Sequence, residues 1–325
     1  MKIDLKDKKI LAALDRNCRQ SYGELSKKVG LSKVAVMNRV KKLENNGIIS
    51  FYMTIIDTMR LGYTTYDVYL KWRNTTPDKE REIIKYLKSH KQIWFIATCL
   101  PGSSVDIGIL ISTKTESEYY NVWEEIYSKI SPWVDEVRTA VLIKYVHYTK
   151  QYLLQEAGKE KKEIYIGRPA HEKIDDIDDE ILKRLARNAK ISIVELSKAT
   201  KLKPSSIIYR MKQLEKKNII QGYRASINFQ KLGYHYFKVM MNLNDLTKRK
   251  EIFGWIKHHP NITYLDVFIG GLDVEFDIEA QSTEEFADII KELKKCHGSS
   301  IKYIEHIPVT MFHKSTYYPE EKKNS

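Results

Sequence analysis

The chain has 325 residues, enough for more than one domain with its own core, and its 42% hydrophobic content suits a globular protein. Its formal net charge of +13 is concentrated: residues 1–53 hold 12 Lys/Arg against 5 Asp/Glu, residues 173–224 hold 13 against 7, and the rest of the chain cancels. No apolar run approaches the roughly 18 residues of a membrane helix, the opening MKIDLKDKK lacks the apolar stretch of a signal peptide, and Cys18, Cys99 and Cys296 form neither a disulfide framework nor a metal pair; a cytoplasmic protein with no membrane partner, no metal and no cofactor is expected.

The first basic segment reads as three helices and a strand. Asp4 can cap a helix carrying Ile10, Leu11 and Leu14, and Asp7 suits its positively polarised first turn. Ser21-Tyr-Gly-Glu24 has the spacing of a capping box and opens a second, short helix ending at Val29-Gly30. Ser32 is a good N-cap for a third helix with Val36, Val40 and Leu43 on one face, Gly47 stops it in the left-handed conformation of a C′ position, and Ile48-Ile49 opens a strand read as a wing.

A different rhythm follows: strand at 66–72, helix at 77–89, strands at 93–100 and 105–111, helix at 116–130 and strand at 137–145. This βαββαβ order is ferredoxin-like. Residues 150–172, charged and punctuated by Gly158, Gly167 and Pro169, read as a flexible linker short enough to keep the two halves neighbours.

Everything before that linker then returns after it. MNRVKKLENNGII at 37–49 reappears as YRMKQLEKKNII at 209–220, and Arg39, Leu43, Glu44, Ile49 and Gly62 have counterparts 171 positions on in Arg210, Leu214, Glu215, Ile220 and Gly233. Asp175, Ser192-Ile-Val-Glu195, Pro204 at a first helical position and Asn218 at a helix stop repeat the helical signals; strands at 237–243, 262–269, 274–280 and 301–312 with helices at 248–258 and 283–295 repeat the ferredoxin-like order. The expected class is α+β, with two winged helix-turn-helix domains (1–60 and 173–231), two ferredoxin-like domains (61–149 and 232–318) and a charged tail at 319–325.

Two short helices joined by a tight turn, the second basic on its outer face, describe a helix-turn-helix whose second helix enters the DNA major groove. Double-stranded DNA is the expected partner. The candidate contacts are Ser32, Lys33, Asn38, Arg39, Lys41 and Lys42 in one head, and Lys203, Ser205, Ser206, Tyr209, Arg210, Lys212 and Lys217 in the other. The heads share scaffold residues but differ at the outward positions nearest the helix start: Asn38 can pair with adenine, whereas Tyr209 offers one hydrogen bond or packs on a thymine methyl.

The order Asp-x-x-Asp-x-x-Ile-Leu, Glu-Leu-Ser, Gly-Leu-Ser, Arg-Val-x-x-Leu-Glu-x-x-Gly-Ile-Ile and Leu-Gly, followed by βαββαβ, resembles the Lrp/AsnC (feast/famine) transcription regulators over nearly the whole chain. The resemblance implies a winged helix-turn-helix domain and a ferredoxin-like domain that pairs with another copy through its sheet. Because this chain supplies both copies, a covalent pseudo-dimer is expected, with Tyr69 and Trp72 in one half and Val239 and Met241 in the other on the pairing strands, and room for further homo-oligomerisation. The resemblance also implies an amino-acid effector site at the Gly-rich loop between the second and third strands. Gly270-Gly271-Leu272-Asp273 fits that description, while Pro101-Gly102-Ser103-Ser104 puts Ser104 where Asp is expected; read from the residues alone, Gly102, Gly270, Gly271 and Asp273 equally suit plain tight turns.

No P-loop, dinucleotide fingerprint, nucleophile elbow or zinc spacing appears, so no catalytic residue is assigned. Two other readings stay open. The same lysines would serve a sequence-tolerant architectural DNA binder, since phosphate contacts give affinity and base contacts give choice. Siroheme decarboxylases resemble fused members of this fold, but the segment 93–102 holds no His.

Overall fold

Asp4 ends an extended segment and starts the first helix by a reciprocal bond: its side chain accepts from the Asp7 N–H while the Asp7 carboxylate accepts from the Asp4 N–H. In the computed structural model, which describes residues 3–154, 161–167 and 170–319, that helix is α1 (Leu5–Arg16), followed by α2 (Tyr22–Val29), α3 (Lys33–Asn45) and strand β1 (Ile49–Ile56). The Ser21/Glu24 capping box forms, and Gly30 and Gly47 take φ of +66° and +65°. Then come β2 (Thr64–Trp72), α4 (Pro77–Ser89), β3 (Ile93–Cys99), β4 (Ile107–Thr113), α5 (Glu116–Ile130), β5 (Val134–Tyr148) and a short β6 (Glu163–Ile166).

The second half repeats the order: α6 (Asp176–Arg187), α7 (Ile193–Thr200), α8 (Pro204–Lys216), β7 (Ile220–Ile227), β8 (His235–Leu243), α9 (Arg249–His258), β9 (Ile262–Ile269), β10 (Val274–Ala280), α10 (Thr283–His297) and β11 (Ile301–Ser315). Ser192 and Glu195 form the second capping box, and Asn218 adopts φ +55° where Gly47 stands in the first copy.

The strands read as wings do not flank the recognition helices as independent hairpins. β1 pairs antiparallel with β7, and Met53 faces Arg224. Those two positions are repeat-related, so the pseudo-twofold axis of the chain passes between them. Bonds on either side obey it: the Cys18 N–H donates to Tyr223 O at 2.9 Å and the Ala189 N–H to Tyr52 O at 3.0 Å, while the Asp57 N–H donates to Ile219 O and the Asn228 N–H to Ile48 O, both at 2.8 Å. Helix α1 packs on β7 and α6 on β1. The heads therefore share one apolar core, in which Ile10, Leu11, Leu14, Val40 and Leu43 join Ile181, Leu182, Leu185, Ile207 and Leu214, all buried; each such side chain withdrawn from water contributes about 1.5–3 kcal/mol.

The ferredoxin-like halves join at their edges. The sheet runs β2-β4-β3-β11-β8-β10-β9-β5, and β5 pairs back onto β2, closing a ring. The seams are β3 with β11 and β5 with β9, so the expectation that Tyr69, Trp72, Val239 and Met241 lie on the pairing strands is corrected: β2 and β8 are not the strands that cross between halves at these seams. Pairing falls to the outer strands because they have free backbone groups to satisfy. Helices cover the outside of the ring over two apolar clusters, one in each half.

The segment read as a flexible linker is built into the body where it is described. Gln151–Leu153 is a buried 3-10 turn, the Lys161 ammonium donates to Ile262 O at 2.6 Å, and β6 pairs with β5. Residues 155–160 and 168–169 of that stretch, and 320–325 of the charged tail, lie outside the described residues.

Candidate nucleic-acid interface

Each recognition helix is fixed from beneath and open above. Val36, Val40 and Leu43 bury one face of α3, as Ile207, Met211 and Leu214 do for α8, and the opposite face reaches solvent. Ser32, Lys33, Asn38, Lys41 and Lys42 are exposed in the first head, and Lys203, Ser205, Tyr209 and Lys212 in the second, with Ser206 half-buried. Val34 is 61% exposed and Tyr209 64%, large apolar surfaces presented to water beside lysines. Ser32 also caps its helix by accepting from the Ala35 N–H at 3.2 Å. Lys203, in the same place, makes no side-chain cap, and Pro204 sets the helix start instead.

The two candidate arginines have a different occupation. Arg39 donates to Asp4 at 2.8 Å and Asp7 at 2.7 Å, and Arg210 repeats this with Asp175 and Asp178, each at 2.8 Å. The Asp7 backbone N–H, and then Arg39, hold the Asp4 carboxyl below the usual range; the Asp178 N–H and Arg210 do the same for Asp175. These arginines tie the recognition helix to the first helix of its own head. Lys217 likewise donates to Lys173 O at 3.1 Å, with the Glu172 carboxylate 3.7 Å away.

The glycine loops are tight turns in the structure. Gly102 and Gly270 take φ of +91° and +81°, and a Cβ on Gly271 would come within 3.0 Å of the Ala140 side chain. Asp273 accepts from the Leu243 N–H at 2.9 Å, with Arg249 3.6 Å away. Its counterpart is Asp106, not Ser104: Asp106 accepts from the Trp72 N–H at 2.8 Å and pairs with Lys71 at 3.2 Å. The first half carries the longer connections before this point, so the offset between the copies is no longer the 171 residues of the heads, and that hid the match.

Polar chemistry inside the ring was not anticipated. Asp67 on β2, Asp266 on β9 and Glu275 and Asp277 on β10 are buried, and Lys238 on β8 lies 3.1 Å from Asp266, 3.1 Å from Asp277 and 3.4 Å from Glu275. Burial pushes the Asp67, Asp266 and Glu275 carboxyls above their ordinary values; it opposes charge on Lys238, yet the surrounding carboxylates hold that ammonium well above its own. The alternation in VEFDIEA at 274–280 was the available signal, because residues two apart share a face and Glu275, Asp277 and Glu279 therefore point the same way.

Between ring and heads sits a second buried ion pair, Asp15 on α1 with Arg224 on β7. Arg224 also donates to Tyr148 O at 3.0 Å, and Asp15 accepts from the Lys150 N–H at 2.8 Å. No helix among the described residues is long and apolar enough to cross a membrane.

The Winged helix-turn-helix DNA-binding profile matches residues 3–50 and 174–221, once in each half. The chain carries that DNA-binding module twice and resembles the Lrp/AsnC regulators in a tandem-duplicated form. The HTH-type transcriptional regulator LrpA of Pyrococcus horikoshii is 41% identical over 86 residues, covering 26% of this chain and 60% of LrpA, so the match spans less than two thirds of that relative. The regulator FL11 of Pyrococcus furiosus is 27% identical over 129 residues, 39% of this chain and 85% of FL11. Among solved structures, the siroheme decarboxylase NirDL superposes over 98% of this chain and 95% of its own with a TM-score of 0.61 at 12% identity, a likeness of fold. Two copies of the module in one chain account for the profile matching once in each half.

Proposed function

We propose that this protein is a DNA-binding transcription regulator, a covalent pseudo-dimer in which two non-identical heads read two dissimilar half-sites of double-stranded DNA about one helical turn, ~10 base pairs, apart. The observation that carries the reading is that α3 and α8 rise from one shared core with exposed lysines in both and different readout side chains, Asn38 in one and Tyr209 in the other. In this reading Lys33, Lys41, Lys42, Lys203 and Lys212 neutralise phosphates. Ser32, Asn38, Ser205, Ser206 and Tyr209 face bases or sugars. Arg39 and Arg210 hold their helices at the right angle, and Lys217 steadies the end of α8.

The reading includes response to a small-molecule effector. The loops at Gly102 and at Gly270, Gly271 and Asp273 are its family-implied seat, although their polar groups already serve the turns. An enzymatic role like that of siroheme decarboxylase finds less support, because the chamber inside the ring is lined by carboxylates, which repel a polycarboxylate tetrapyrrole.

The test is the ratio of affinities for a selected duplex and for random-sequence DNA at one fixed salt concentration. A specific regulator gives a ratio of about 10³ or more; equal affinities would mean an architectural binder.

A further inference from the structure

Inside the ring, directly under the heads, lies a chamber of about 80 Å³ whose walls include Asp67, Asp266, Asp277, Tyr69, Tyr145 and Tyr264. A cavity of roughly 150 Å³ takes benzene, so this one admits a molecule of only a few non-hydrogen atoms. Its acidic side chains outnumber its basic ones. Lys150 is committed to Glu279, and Arg224 to Asp15, both in buried pairs. Of the cations lining the chamber, that leaves Lys238 to answer Asp67, Asp266, Glu275 and Asp277 together.

A separate observation points to an occupant. Asp266 is only 5% exposed and gives Oδ2 to Lys238 at 3.1 Å, but its Oδ1 has no hydrogen-bond partner among the described residues. A buried acceptor left unmet costs about 1–3 kcal/mol, more when charged, so such groups normally have a partner.

The rest of the wall narrows the chemistry. Tyr145 stacks on Tyr264 with ring centroids 5.6 Å apart and an interplanar angle of 9°. The Tyr69 hydroxyl donates to Glu275 at 2.7 Å and the Tyr236 hydroxyl to Asp277 at 2.5 Å, which commits the polar tips of those side chains. Aromatic faces beside carboxylates suit a small organic cation, held by cation–π attraction and N–H donation together. No group of three His, Cys, Asp or Glu side chains among the described residues has the arrangement to hold a metal ion.

The two halves also differ here. In the first half the positions that pair as Asp266, Glu275 and Asp277 do are Ala97, Gly108 and Leu110, so these three acids come from the second half alone, while Asp67 in the first half stands at the position repeat-related to Lys238. We propose that the chamber is a binding site for a small ammonium-type cation, a protonated primary amine of a few non-hydrogen atoms, whose N–H groups reach Asp266 Oδ1 and Asp67.

The site is tested on the full chain without DNA, so the outcome is separable from that of DNA binding. Thermal unfolding at pH 8 is followed against rising methylammonium chloride, with sodium chloride and tetramethylammonium chloride at matched ionic strength. The expected result is a saturable rise in Tm with methylammonium only, and at least tenfold weaker half-saturation in Asp266→Asn. If that variant fails to fold, Asp67→Asn is read in the same way. No saturable rise, the same rise with the other two salts, or an unchanged methylammonium response in the folded variant would each overturn the proposal. So would a Tm that follows pH identically with and without methylammonium, which would mean that protons alone balance the chamber.

Discussion

Asp15 and Arg224 form a buried ion pair across the two heads, and the residues related to them by the 171-residue repeat are Ala186 and Met53. A symmetric pair of chains would have this contact twice or not at all. Here it occurs once, with Arg224 beside the axis, and burial that opposes its charge is outweighed by Asp15, which keeps the guanidinium well above its ordinary value. Removing one partner strands a charge away from water, so Asp15→Ala is expected to destabilise the fold by about 3–5 kcal/mol. The double change Asp15→Ala with Arg224→Met installs the residues the other half already uses at these places, and it should recover most of that loss. Urea unfolding of the single and double variants measures both.

The arginines of the recognition helices separate two kinds of basic residue. Arg39 is bound to Asp4 and Asp7, whereas Lys41 is exposed. Lys41→Gln is expected to lower the slope of log affinity against log salt by about one unit. Arg39→Gln should leave that slope nearly unchanged and cost about 0.5–1 kcal/mol of head stability, the worth of a partly exposed pair. DNA titrations at several salt concentrations, paired with thermal melts, distinguish the two.

Much of this architecture was legible before the structure. The capping boxes at Ser21/Glu24 and Ser192/Glu195, the stops at Gly47 and Asn218 and both βαββαβ orders are local signals, fixed by backbone hydrogen bonding within a few residues. What escaped depends on partners far along the chain. Nothing near β1 says that it will pair with β7, and nothing in β3 or β5 names β11 or β9. The pairing of Arg39 with Asp7 and Asp4 escaped because charge is visible in sequence and partners 32 and 35 residues away are not. The exposed lysines, Asn38 and Tyr209 were readable because their helix period places them opposite a plain apolar stripe.

Asp57 gives the fold a pH dependence of known sign. It follows β1, is fully buried, and accepts a long 3.4 Å bond from the Gly167 N–H, while its Oδ1 has no hydrogen-bond partner among the described residues. Burial pushes its carboxyl up from 3.8 to about 6. Because the folded-state value is the higher one, the group costs little below about pH 4, where it is protonated in both states, and destabilises the protein increasingly as pH rises through about 6. Asp57→Asn is therefore expected to stabilise the protein by about 1–3 kcal/mol at pH 8 and by much less at pH 4. Chemical denaturation at the two pH values checks it.

The claim that one chain reads two different half-sites is tested most directly by selecting bound sequences from a random DNA pool with the wild type, and again with Asn38→Ala. The account predicts two dissimilar half-sites for the wild type. It further predicts that Asn38→Ala loses about 1–3 kcal/mol of discrimination at one half while the other keeps its sequence. Identical half-sites from the wild type, or an equal loss in both halves from the single substitution, would contradict it.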